Sequence, residues 1–182
     1  PQGRRQLILV PDAQMDQMGV QAFSELKTKT PVEKDAAINN YVKCVSNAIT
    51  TALPEQRSWE VVVFRDDSAN AFALPGGKIG VHTGLLKTAV NADQLAAVIG
   101  HEVGHVLAKH GSERVSEQMA TQGGLELLSG IMASKSGKNY DLLMAGIGVG
   151  AQFGILLPHS RNQESEADLI GLDLMAKAGF DP

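Results

Sequence analysis

Cysteine occurs once in the 182 residues, at Cys44, so no disulfide can form within the chain, and the redox state of its compartment does not follow from composition. Aromatic residues make up only 4% and no cluster of Lys and Arg appears. With a net charge of -4 there is little to grip a phosphate backbone or stack on bases, so nucleic acid is not an expected partner. No long hydrophobic run opens the chain and no secretion signal is visible; the start at Pro1 and the end at Pro182 read as a mature or trimmed polypeptide. Repeats and low-complexity linkers are also missing. At 43% hydrophobic, the expectation is one domain over residues 1–182 with a true core, cut short at its C-terminal end.

The periodicity is first helical, then alternating. Residues 11–27 place Met15, Met18, Ala22, Phe23 and Leu26 at helical spacing, a stripe that reads as core. Thr30, with Pro31 at the first helical position and Glu33 as box partner, predicts a second helix whose apolar face carries Ile38, Tyr41, Val42, Val45 and Ile49, with Cys44 as a core filler. Three strands follow, at Trp59 to Phe64, Asn70 to Leu74 and Lys78 to His82, separated by Asp66-Asp67-Ser68 and Pro75-Gly76-Gly77. A small antiparallel sheet with helices packed on it, an α+β layout, is expected.

The next segment, Asn91 to His110, is helical by every local criterion, with Asn91 and Gln94 at capping-box spacing and Gly111 placed to end it. Within it stands His101-Glu102-Val-Gly-His105. One turn apart on one face, His101 and His105 can hold one metal ion, and Glu102 on the flank is placed to act as a base on a water. Hydrolysis at zinc needs a third ligand and an open position. A further helix, capped by Ser160 and Gln163 and closed by Gly179, offers Glu164, Ala167, Asp168 and Gly171 on one face. Small residues on both facing stripes allow close approach, so Glu164 is the expected third ligand and Asp168 the group that orients a ligand histidine. Glu166 belongs to another face of that helix. Among the remaining histidines, His110 is expected to be solvated, His82 to end a strand, and His159 to lie structurally near the cleft.

His101-Glu-x-x-His105 with Ser160-Arg-x-x-Glu164-x-Glu-Ala-Asp168-x-x-Gly171 resembles the gluzincin metallopeptidases of family forty-eight, the family of the HtpX and CaaX prenyl proteases. Asn70-Ala-Phe-Ala-Leu-Pro-Gly-Gly77 and Gly3-Arg-Arg-Gln-Leu-Ile-Leu9 extend the likeness over most of the chain. The resemblance implies a zincin-like, mainly helical fold and a single zinc ion on the two histidines and Glu164. It also implies a small periplasmic or cell-envelope member, lipid-anchored in many cases, that works in protein quality control. Gluzincins set a sheet edge beside the zinc helix to hold substrate extended. Asn70, Ala71, Phe72 and Ala73 are the segment assigned to that edge, with an ordinary strand the equal alternative.

The expected activity is endoproteolysis of unfolded or misfolded polypeptide through a metal-activated water, with Glu102 as base. Family members tend to supply an oxyanion donor downstream of the second motif; within this chain the candidates are His159 and Arg161. The alternative is a catalytically silent zinc-binding or chaperone-like module that holds unfolded chains, against which the retention of Glu102 argues. Leu142 to Pro158 carries no charge and, at about 17 residues, falls short of a bilayer span. It reads either as a buried, cleft-covering helix or as a membrane-leaning apolar face giving peripheral association, beside a polar loop at Ser134 to Asn139.

Overall fold

The computed structural model describes residues 4–121 and 159–182. The expectations for the 134–139 loop and the 142–158 apolar stretch lie outside these residues. Among the described residues five α-helices surround a three-stranded sheet: α1 (Asp12–Lys29), α2 (Ala36–Thr51), β1 (Glu60–Phe64), β2 (Ala71–Leu74), β3 (Lys78–His82), α3 (Ala92–Leu107), α4 (His110–Thr121) and α5 (Arg161–Ala178), with a 3-10 turn at Thr83–Lys87. The fold is α+β and mainly helical.

The sheet is mixed rather than antiparallel. Its order is β1-β3-β2, with β3 parallel to β1 and antiparallel to β2. Alternation identifies strands but not their neighbours. Here the β2–β3 hairpin itself serves as the crossover from β1, turning at Gly76 and Gly77, both at positive φ. The parallel register sets Glu60 beside Lys78, and their side chains pair at 2.9 Å. Opposite Phe72 of β2, β3 carries Gly80, whose lack of a side chain makes room for the ring: a Cβ there would stand 2.2 Å from it.

Period-2 alternation gives each face of the sheet its own cluster. Val61, Val63, Ala71, Ile79 and Val81 join α2 and the fully buried Leu95, Ile99 and Val103 of α3 in the main core. On the other face Phe64, Phe72 and Leu74 meet Phe23 and Ala22 of α1, with the Phe23 and Phe64 rings edge to face at 5.9 Å.

Two helix boundaries differ from expectation. The second helix starts at Ala36, capped by Asp35, which accepts from Ile38 N at 3.0 Å. Residues 31–33 instead lie along β1, with Arg65 N donating to Pro31 O at 2.7 Å and Glu33 N to Val63 O at 2.8 Å. Two ladder bonds outcompete the weaker capping signal. Cys44, expected in the core, is exposed on α2: it adjoins the apolar stripe but falls outside it. The third helix ends at Leu107, before Gly111. Lys109 adopts the left-handed conformation, φ 58°, and α4 begins immediately at His110.

Candidate active site

α3 and α5 are fixed by their caps and by the near-absence of side chains between them. Asn91 accepts from Gln94 N at 2.9 Å to start α3, while Ser160 and Gln163 exchange both bonds of a capping box to start α5, which Gly179 ends at φ 89°. Between the helices, Gly104 packs on Ala167 and Gly100 on Gly171. A Cβ on Gly104 would lie 2.9 Å from Ala167 O, and one on Gly171 2.8 Å from His101 N. This contact brings Glu164 across to the histidines.

The result is a convergence of three donors. His101 Nε2 lies 2.9 Å from one oxygen of Glu164, His105 Nε2 lies 3.3 Å from the other, and the two Nε2 atoms are 3.1 Å apart. Ligand atoms at about 2.0–2.2 Å from one tetrahedral ion are separated by about 3.3 Å, so two imidazoles and a carboxylate at this spacing fit a zinc ion. The opposite nitrogens of both rings are occupied: His101 Nδ1 meets Asp168 Oδ1 at 2.6 Å, and His105 Nδ1 meets His110 Nδ1 at 2.8 Å. Each ring therefore turns Nε2 towards Glu164. Burial holds His105 near a pKa of about 3, with His159, His101 and His110 adding to the effect, so it stays neutral, as a ligand must be.

Glu102, half-buried, lies on the flank of α3 and faces a cleft of about 590 Å³. Burial pushes its carboxyl up to about 7, against His101 and with help from Glu164. The cleft runs between α1 and the sheet, and Met15, Met18, Phe72 and Leu74 line it together with Glu102 and His105. β2 is an edge strand, whereas the far edge of β1 is paired at its Val63 to Arg65 end by residues 31–33. Of the segment assigned to substrate, Asn70 precedes β2 and accepts from His82 N at 2.9 Å, Ala71 faces the main core, and Phe72 and Ala73 border the cleft.

The other candidates are placed differently. His159 stacks on the His105 ring, centroids 3.9 Å apart and planes at 21°, while Arg161 opens α5 exposed to solvent. His82 ends β3, held by Ser68 at 2.7 Å.

His110 corrects the sequence reading, and Glu166 lies beside it. His110 is fully buried behind His105, and the Glu166 side chain is only 8% exposed and pairs with Arg4 Nε. Arg4 also binds both oxygens of the buried Glu113, at 2.8 and 2.7 Å, and Gln163 Nε2 donates to Glu113 at 2.7 Å. This set was missed because its members come from the N-terminal segment, α4 and α5, which no period links. The left-handed Lys109, which folds His110 back under α3, has no sequence signal of its own.

A model described as peptidase family M48 matches residues 33–182. The chain belongs to peptidase family M48. Among curated proteins, this M48 chain is 42% identical over 124 residues to the mitochondrial metalloendopeptidase OMA1 of Schizosaccharomyces pombe, a match covering 68% of this chain and 34% of that protein. It is 39% identical over 138 residues to the OMA1 of Arabidopsis thaliana, covering 75% and 26%. With the beta-barrel assembly-enhancing protease of Escherichia coli K12 it shares 28% over 176 residues, covering 91% and 35%. The M48 chain thus spans about a third or less of the length of these relatives.

Proposed function

We propose that this chain is the catalytic domain of a zinc-dependent endopeptidase that acts on unfolded or misfolded polypeptide in an envelope-type compartment. The observation that carries the reading is the convergence of His101, His105 and Glu164 donor atoms within 4.8 Å of one another, with Glu102 beside them in the cleft. His101 and His105 offer Nε2 and Glu164 a carboxylate oxygen. Zinc held there supplies Lewis acidity towards a peptide carbonyl and a water.

The chain's own residues do the rest. Glu102 takes a proton on its carboxylate and returns it to the leaving amine. Asp168 holds the His101 ring by Nδ1. β2, at the cleft's border, aligns an extended polypeptide by pairing backbone to backbone, which tolerates many sequences and suits misfolded substrates better than a tight sequence code. His159 and Arg161 are the residues in this chain offered as oxyanion donors, and His159, stacked on His105, is the first to test.

The compartment is supported by the names of the relatives, one a beta-barrel assembly-enhancing protease and others mitochondrial metalloendopeptidases. No described helix is long and apolar enough to cross a membrane. Peripheral attachment through residues 142–158 remains part of the proposal, tested by flotation with vesicles.

Three proteins test the reading together: wild type, Glu102→Gln and Glu164→Ala. Wild type should bind one zinc and hydrolyse casein; Glu102→Gln should keep the zinc while losing hydrolysis by about a hundredfold or more, the scale for loss of a general base. Glu164→Ala should lose the metal itself. Metal loss from Glu102→Gln would instead make Glu102 a ligand and overturn the assignment.

A further inference from the structure

Of the buried polar groups, one chain of contacts touches the metal-binding face and then leads away from it. His105 Nδ1 faces His110 Nδ1 at 2.8 Å. On the other side of the His110 ring, Nε2 faces Glu166 Oε1 at 3.6 Å, and that same oxygen is paired with Arg4 Nε. His110 is fully buried, so no water can replace either contact from bulk solvent. Its Nε2 is enclosed and makes no hydrogen bond among the described residues, so the Glu166 carboxylate, 3.6 Å away through Oε1, is the acceptor it faces.

Proton bookkeeping along this chain has one solution. A His105 that turns the Nε2 lone pair to a metal carries its proton on Nδ1, which must then donate. His110 Nδ1 must accept, so the His110 proton sits on Nε2, directed at the Glu166 carboxylate. Glu166 in turn is oriented by Arg4, which Glu113 grips through both of its oxygens. Each member fixes the tautomer or orientation of the next.

We infer that His110 is a positioning residue for the metal centre: it accepts from His105 Nδ1 and, backed by Glu166 and Arg4, sets His105 with Nε2 available to the ion. This rests on His105 being a metal ligand. It gives His105 the kind of partner that Asp168 gives His101, but a neutral one supplied from the buried side. It also makes the N-terminal segment around Arg4 part of the metal centre, although none of its described residues lines the cleft.

The test uses the whole chain and His110→Leu against His110→Asn, side chains of equal size of which only Asn can accept from His105. Ser116→Ala is the control: Ser116, buried on the same helix, accepts from Leu9 N at 2.8 Å and so also holds the N-terminal segment, but lies outside the chain of contacts. Zinc affinity is measured by competition with a chromophoric chelator, and the cobalt-substituted absorption spectrum reports ligand geometry. His110→Leu should bind zinc about 10- to 100-fold more weakly and shift the cobalt bands. His110→Asn should recover most of the affinity, and Ser116→Ala should change neither readout. Equal affinity in wild type and His110→Leu, or equal losses in His110→Leu and Ser116→Ala, would overturn the inference. Nitrogen-15 NMR of the zinc-loaded wild type tests it without any variant, even if the Leu protein does not fold: His105 should be protonated on Nδ1 and His110 on Nε2, and a His110 protonated on Nδ1 overturns it. Wild type that takes up no zinc would remove the metal-centre reading itself, an outcome distinct from all of these.

Discussion

Glu113 shows how much can hang on one carboxylate that no motif marks. Burial on its own would raise its pKa, but hydrogen bonds from Arg4 and Gln163 outweigh that and hold it below its usual value of 4.5. A carboxylate depressed in the folded state contributes stability that is present above the unfolded value and is lost as pH falls through the folded one. Urea unfolding should therefore show wild type weakening on acidification from about pH 5 to about pH 3 more steeply than Glu113→Gln. Identical slopes would mean that Arg4 and Gln163 do not hold this group in solution. Glu166→Ala should behave unlike Glu164→Ala. It leaves all three donors in place and lowers stability by about 1–3 kcal/mol, because His110 loses the carboxylate it faces and Arg4 is left with Glu113 alone; full zinc content at saturating metal, with a lower midpoint in urea, is the expected pair of results. Why one glutamate could be read from sequence and the other not is a matter of distance along the chain. Glu164 and the two histidines sit on helices whose 3.6-residue period and caps announce which face they share. Glu166 finds Arg4 162 positions away, and only the assembled fold brings them together.

The α3–α5 contact determines whether the donors meet at all. Gly171 has a backbone atom, His101 N, within 2.8 Å of where a Cβ would go, and backbone cannot swing aside as a side chain can. Gly171→Ala should push the helices apart, destabilise the fold by about 1–3 kcal/mol as overpacking does, and weaken zinc binding in the same protein. Stability lost with zinc affinity intact would mean that the ligands tolerate a wider spacing. This element pair was legible because small residues punctuate both stripes. The sheet was legible only in part. Alternation placed all three strands, but it carries no information on which strand stands in the middle: β3 pairs with β2 through Gly80 under the Phe72 ring and with β1 through Glu60 beside Lys78. The start of α2 failed for a related reason: Thr30 and Pro31 look like a helix opening, yet β1 had an edge to pair and the chain took it.

Seen whole, the molecule opens a cleft onto the centre formed by α3 and α5, with β2 along its border. If backbone pairing with β2 holds the substrate, peptides N-methylated at alternate amides should lose affinity whatever their side chains, by up to about tenfold in KM for each bond removed, with kcat less affected. Methylation of the intervening amides should do little, and equal effects of the two series would point to side-chain pockets instead. The asymmetry of the two sheet edges reaches further. Residues 31–33 pair with the Val63 to Arg65 end of β1, whereas the outer edge of β2 lies on the cleft that holds Glu102. A second copy that added a strand there would plug the other's cleft. Association through that edge would therefore be self-limiting, closing the cleft of each copy rather than leaving a dimer with two open clefts.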